Sequence, residues 1–310
     1  MIEVSTWFLY FILYSILGWL VETVYCSVPA GHWVERGFLN GPLCPIYGCG
    51  AVLMLGGLEP YISHPILLFV LSMLGASIME FVVSWAMEKM FGMRWWDYSD
   101  QPFNLQGRVC LLNSTLFGVM GLVLARVIHP RMQYLVGLLP PMWCVGLAGL
   151  FFVMLCVDTV VSARAALQLR GRLERMEQMK QELRQYMHER NLRLEYALQS
   201  RLSDLDEWKQ QMDAVKGRIT ADNVEQLLRD ALSDSQRLAD ALDHVRRWKQ
   251  MQESKLDGLR QRIRRASEDN RRVQRRMLEA FPQLRAERYQ DSLDDIRQAV
   301  RRWKEKRKQG

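Results

Sequence analysis

The sequence predicts an all-α fold, a polytopic membrane bundle of about five spans followed by a long cytoplasmic coiled-coil hairpin. Three observations predict it. The first half carries five apolar stretches of about 20 residues, the length a bilayer core demands. Charge divides sharply: residues 1–163 hold 6 Lys/Arg and 9 Asp/Glu, and residues 164–310 hold 35 and 25. The second half repeats apolar residues at steps of four and three, the seam of a coiled coil. The mean hydropathy of −0.12 and the net charge of +7 conceal this division. Three domains follow: a transmembrane domain over 1–163, a hairpin over 164–281 and a basic amphipathic helix over 282–310.

The spans fall near 4–25, 43–62, 65–87, 109–128 and 134–157. The second is the weakest, because Pro45, four glycines and Glu59 interrupt it. Met1-Ile-Glu lacks a basic n-region and no small-residue cleavage site follows, so the first span is expected to be retained. The basic-inside bias places the tail in the cytoplasm, and with five spans the N-terminus outside. The first connection then carries Arg36 inside, and the third carries Lys89, Arg94 and Arg108. The protein is thus expected in the cell membrane, multi-pass, with the bilayer as its first partner.

Two connections are unusually rich in turn-forming, aromatic and charged residues. They are Arg36-Gly-Phe-Leu-Asn-Gly-Pro-Leu-Cys-Pro-Ile-Tyr-Gly48 and Trp95-Trp-Asp-Tyr-Ser-Asp-Gln-Pro-Phe-Asn-Leu-Gln-Gly-Arg108. Each follows an apolar segment with a carboxylate near its end, Glu22 or Glu80. An ionisable group within a span costs roughly 2.5–3.5 kcal/mol on insertion scales, which makes a functional site its default reading. Glu80 precedes the inner end of its span by about seven residues, roughly 10 Å at 1.5 Å per residue. Both carboxylates therefore lie near the depth of Arg36, Asp97 and Arg108.

The candidate substrate-binding or transport residues are Glu22, Arg36, Asn40, Tyr47, Glu80, Trp96, Asp97, Tyr98, Asn104 and Arg108. Arg36 and Arg108 are the natural partners, since a guanidinium fork pairs a carboxylate or grips a phosphate. Gly37, Gly41, Gly48 and Gly107 permit tight backbone, while Pro42 and Pro45 keep the helix from starting early. Trp95, Trp96, Tyr98 and Tyr47 have rings suited to the membrane interface. Taken singly, such rings, arginines and Gly-Pro loops are also ordinary anchors and connectors. Glu88 reads as a solvated helix end and Asp158 as the inner end of the fifth span.

These residues resemble the ABC-transporter type IV family, also called CmpB-like. The resemblance covers about residues 5–160 and rests on both motifs in order with Glu22 and Glu80; the tail lies outside it. Glu35 stands where the family pattern leads one to expect Asn or Asp. The resemblance implies a multi-span bacterial membrane protein of the permease type.

Other chemistries find little footing. No Gly-x4-Gly-Lys-Ser/Thr phosphate loop occurs, so an ATPase would be a separate chain. His-Glu-x-x-His and a nucleophile elbow are absent, and Gly48-Cys-Gly50 is too short for a dinucleotide fingerprint. No cofactor is expected. The six cysteines all lie in the first half without Cys-x-x-Cys spacing, which reads as packing rather than as a metal site or disulfide framework.

In the tail, no proline occurs between Met142 and Lys216, so the fifth span is expected to continue into a long helix ended by Gly217. Asp222-Asn-Val-Glu225 reads as a capping box. From Val224 to Ala280 the heptad offers seventeen seam positions, of which thirteen are apolar; Ser235, Lys249, Gln252 and Asn270 are the exceptions. The pairing is expected within the chain, as an antiparallel hairpin, or with a second copy or another protein. Beyond Pro282, Tyr289, Leu293, Ile296, Val300 and Trp303 share one side of a shorter helix. The closing Arg301-Arg-Trp-Lys-Glu-Lys-Arg-Lys308 suits anionic lipid at about 1 kcal/mol per basic residue. Nucleic acid is not expected, because no binding fold accompanies this run. Three functions compete: a transport component with a cytoplasm-facing polar site, a membrane enzyme acting on a lipid-linked or phosphorylated substrate, and a coiled-coil scaffold.

Overall fold

The computed structural model describes residues 2–215, 247, 250–251, 253–268 and 272–309. It is helical almost throughout, and the chain divides into two compact units. One comprises Met1–Glu174 together with Asp269–Gly310, and the other Arg175–Glu268.

In the first unit, α1 (Ile2–Ala30), α2 (Pro45–Leu58), α3 (Pro65–Phe91), α4 (Leu111–Val123), α5 (His129–Gly137) and the start of α6 (Pro141–Val215) form the apolar bundle. Prolines open α2, α3 and α6 at a position where the missing N–H costs nothing. α3 ends on Gly92 in the left-handed conformation, its N–H bonded to the Glu88 carbonyl at 2.7 Å. Between α4 and α5 lies a π-helical turn, Leu124–Ile128. Pro130 explains it: lacking an N–H and crowding the preceding carbonyls, its ring favours a wider turn within an otherwise continuous apolar helix.

Four helical stretches are long and apolar enough to cross a membrane: Ile2–Val28, Pro65–Phe91, Leu111–Gly137 and Pro141–Glu189. The second apolar segment, expected to span, instead forms the 14-residue α2 and a 3-10 turn, Glu59–Tyr61. At 1.5 Å per residue α2 is about 21 Å long, short of a bilayer core of about 30 Å. Pro42 and Pro45 delay its start, so four helices rather than the expected five are of spanning length. The apolar surface of these helices faces outward; only 11% of the most apolar stretch of α6 is buried. Such a surface is covered by lipid rather than by water. The bundle's internal core gathers Leu9, Tyr10, Tyr14, Leu55, Leu68 and Val136 at the end away from the two motif loops, where Tyr14 Oη and His129 Nδ1 lie 2.7 Å apart.

The C-terminal helices α8 (Arg272–Ala280) and α9 (Gln290–Gln309) belong to this same unit. Leu293, Ile296 and Val300 are buried, as their spacing predicted, while Trp303 is partly exposed beneath the Arg275 guanidinium at 3.9 Å.

The second unit contains the 175–215 part of α6 and a helix over 253–268, α7. Along α7 the seam residues Leu256, Leu259, Ile263 and Ala266 are less exposed than most of their neighbours. The expected break at Gly217–Asp222, the seam from Val224 to Val245, and Lys249, Gln252 and Asn270 lie outside the described residues.

Candidate functional site

The first motif loop leaves α1 at Ala30 and descends along it before α2 begins. Glu22, about two turns back from the end of α1, meets Arg36: Nε and Nη2 donate to Oε1 at 3.2 and 3.0 Å. The Cys44 thiol lies 3.6 Å from the other Glu22 oxygen, and the Arg36 N–H reaches Thr23 Oγ1 at 3.4 Å. Gly37 has φ +100°, a conformation that admits few side chains. Asn40 and Gly41 hand their N–H groups to Asp158 of α6 at 2.9 and 2.7 Å, and the Asn40 side chain adds a third bond at 3.2 Å. Asp158 is therefore the clamp of this loop rather than a mere helix-end residue. Pro42 interrupts the chain there and Pro45 opens α2. Gly48 allows α2 to press on α1; a Cβ there would stand 2.2 Å from Ser15 Oγ and 2.5 Å from the Phe11 carbonyl oxygen. Tyr47 lies over Gly18, within electrostatic range of both Glu22 and Glu80.

The second motif folds into a small antiparallel hairpin, Asn104–Leu105 against Val109–Cys110. Asn104 ties its turn, donating to the Ser99 and Gln101 carbonyls and accepting from the Gly107 N–H. Trp96 Nε1 donates to the Arg108 carbonyl at 3.1 Å. At Gly107 (φ +67°) a side chain would collide with Asp97 Oδ1 at 2.4 Å. Asp97 accepts from the Ser99 N–H and hydroxyl at 3.1 and 2.6 Å, and Arg94 Nη1 lies 3.8 Å away. Arg285 Nη1 lies 2.7 Å from Asp97 Oδ2, an ion pair without the alignment of a hydrogen bond.

Glu22 and Arg36 pair as the sequence suggested, but Glu80 and Arg108 do not. Arg108 Nη2 binds Glu88 at 2.6 Å, with Nη1 on Ser84 Oγ at 3.2 Å. Glu88 also takes Arg94 at 3.3 Å, so it is the hub of this network and not a solvated helix end. A signal was legible: Glu80, Ser84 and Glu88 recur every four residues and share one face of α3. Glu80 itself is buried, accepts a hydrogen bond from Tyr98 Oη at 3.1 Å, and makes no ion pair among the described residues.

The C-terminal segment completes the arrangement. Arg36 Nη1 donates to the Ala280 carbonyl, and Arg276 donates to the Gly37 and Phe38 carbonyls at 3.3 and 3.1 Å. Phe281 packs edge-on against Trp95 with centroids 5.1 Å apart, and Trp95 also meets Phe38 and Phe91. Trp95, expected at the interface, is 1% exposed at the centre of this cluster. Arg94 and Arg285 exchange both backbone hydrogen bonds at 2.8 Å. Arg276, Phe281 and Arg285 were not foreseen, because nothing local marks a residue whose partner is so distant in sequence.

Burial, and then the adjoining Glu80 carboxylate, push the Tyr98 phenol upward, so it stays a hydrogen-bond donor. Burial first and Glu22 second push the Cys44 thiol upward as well, which leaves it a poor nucleophile. Burial lowers Arg276, an effect opposed by Asp158 and Glu35. No group of His, Cys, Asp and Glu suited to a metal ion occurs among the described residues.

Apolar helices of spanning length closed at one end by a buried ion-pair network define an α-helical membrane protein. The chain belongs to the family described as "Putative ABC-transporter type IV", whose sequence model matches residues 9–163. The match includes both motifs and Glu22, Glu80, Glu88 and Asp158, and ends far short of Arg276, Phe281 and Arg285. No curated protein and no solved structure matches the chain.

Proposed function

We propose that this protein is a multi-pass membrane transport component whose polar site is the network around Glu22, Arg36, Glu80, Tyr98, Asp97 and Arg108, facing the cytoplasm. The observation that carries this reading is that both motif loops converge at one end of the bundle, with Glu80, Asp97 and Arg108 buried and Glu22 and Arg36 partly buried. Burying several ionised groups where membrane meets water is costly, and a merely anchoring bundle has no use for it. The chain also changes ends repeatedly: the N-terminal half of α1 meets His129, and Arg126 donates to the Ile62 carbonyl at 2.7 Å, away from both motifs. α2 starts at depth, below the irregular loop, so its shortness fits a fifth crossing completed by non-helical backbone. Such backbone is tolerated where protein covers it. The motif end carries Arg36, Lys89, Arg94 and Arg108, against Arg126 and Arg131 at the other, which supports a cytoplasmic orientation.

In this reading the 276–285 segment is a strap across the mouth of the site, and its release opens the two loops together. The energy source would be a separate ATPase, since the chain has no phosphate loop of its own. A scaffold role for the second unit, through a second copy or another protein, is favoured by one observation. That unit is inserted between Glu174 and Asp269, whose flanking segments both belong to the membrane unit. A load on it would reach the strap.

The test is native mass spectrometry of protein extracted with its own lipids. A small ligand should accompany the wild type and be lost from Arg36→Ala and Arg108→Ala variants. Equal retention by all three would remove the site from this end of the bundle.

A further inference from the structure

Glu80 differs from every other carboxylate of the site. Glu22 has Arg36, Glu88 has Arg94 and Arg108, Asp97 has Arg94 and Arg285, and Asp158 has the N–H groups of Asn40 and Gly41. Glu80 is 6% exposed, has one oxygen on the Tyr98 hydroxyl, and keeps Oε2 buried with no partner. Among the described residues, Glu22 of α1, Tyr47 of α2 and Cys110 of the second hairpin strand act on the Glu80–Tyr98 pair, and the nearby guanidinium of Arg108 is turned to Ser84 and Glu88, one and two turns further along α3.

A carboxyl group in such surroundings must be neutralised, paired or reached by water. Calcium takes six to eight oxygen ligands and magnesium a near-ideal octahedron. Two phenols and one carboxyl not already paired with a cation do not supply either. A proton needs a single oxygen, and the Tyr98 hydrogen bond leaves one oxygen free for it.

We propose that Glu80 Oε2 is a proton-binding site, loaded while the motif end is closed and exchanging with water when the loops part, so that opening of this end is linked to pH. Only the link to opening rests on the proposed transport function; the bound proton does not. Glu22 serves differently: its charge is held by Arg36 and fixes the first loop.

Infrared difference spectroscopy of the purified full-length protein, stepped through pH, reads the proton directly and needs no substrate. The expected result is a protonated-carboxyl stretch that titrates in the wild type, is lost in Glu80→Gln and persists in Glu22→Gln. Tyr98→Phe should move the midpoint of that band without removing it, which keeps the test available if Glu80→Gln does not fold. Replacing sodium by potassium or choline at constant pH should leave the band unchanged. A difference spectrum unaltered by Glu80→Gln, or left in place with the same midpoint by Tyr98→Phe, would overturn the assignment. So would a band that follows sodium concentration, since that would make the bound ion a metal cation. Retention of the band together with failure of the ligand test above would leave Glu80 as a proton site and discard transport.

Discussion

Arg94 and Arg285 exchange both of their backbone hydrogen bonds, each at 2.8 Å, although one belongs to the second motif loop and the other to the C-terminal segment. Two like-charged side chains are tolerated side by side because acids separate them. Arg94 turns to Glu88 and Glu287, Arg285 to Asp97. The bridge ties a residue beyond the matched family region to a loop within it.

Asp97 depends on that tie. Its side chain is 2% exposed and its near cation is Arg285, itself half exposed. Arg285→Ala should destabilise the first unit by about 1–2 kcal/mol, below the 3–5 kcal/mol typical of a fully buried pair because half of Arg285 meets water. Thermal unfolding in detergent measures it. Asp97→Asn in the Arg285→Ala background should recover part of the loss; a second, additive loss would mean that the ion pair contributes nothing.

Phe281 anchors the 276–285 segment. It is buried against Trp95 and lies beneath Arg36 at 5.1 Å. Phe281→Ala should free the 276–285 segment, at a cost of about 3–5 kcal/mol for a buried phenylalanine. Limited proteolysis should then cut between residues 276 and 290 at least ten times faster than in the wild type. An unchanged cleavage rate would show that the hydrogen bonds of Arg36 and Arg276 hold the segment alone.

Gly48 sets the distance between α1 and α2. Gly48→Ala should destabilise by about 1–3 kcal/mol through overpacking. Ser15→Ala removes the contact at 2.2 Å but not the Phe11 carbonyl oxygen at 2.5 Å, so the double variant should recover only partly. Full recovery, measured as melting temperature in detergent, would mean that the helices can separate freely.

Asp158→Ala leaves the N–H groups of Asn40 and Gly41 without their acceptor. Asn40 is exposed and Gly41 half-buried, so water replaces part of the lost acceptor and the cost should be about 0.5–1.5 kcal/mol. The local sign is accelerated hydrogen exchange at residues 38–42 with unchanged exchange in α3. Uniformly faster exchange over the whole bundle would instead indicate a global effect.

Cysteines introduced at Phe38 and Ser99 should both be labelled from the cytoplasmic side by a membrane-impermeant maleimide. The buried native Cys44 should react slowly even at pH 9, since burial and Glu22 hold its thiol up. Labelling of the two introduced positions from opposite sides would refute a common site.

Much of the bundle was legible in the sequence because a bilayer imposes a simple rule on any chain that crosses it. About 20 apolar residues, proline starts and a glycine stop locate α1, α3, α4 and α6 without knowledge of their neighbours. The pairing of Glu22 with Arg36 was also foreseeable, since a deep carboxylate needs a cation and the nearest one follows on the same loop. The shortness of α2 was legible only in part: Pro45, four glycines and Glu59 marked the segment as the weakest, but apolar content alone does not tell a loop beside a helix from the helix itself.

By itself the sequence determined that this is a helical membrane protein with two polar motifs, because hydropathy and breakers act locally. Only the tertiary structure decided which charge meets which. It gave Arg108 to Glu88 rather than to Glu80, made Asp158 the clamp of the first loop, and brought Arg276, Phe281 and Arg285 onto both motifs. Ion pairs and aromatic contacts form between whatever surfaces packing brings within a few ångströms, and that proximity is a property of the folded chain and not of spacing along it.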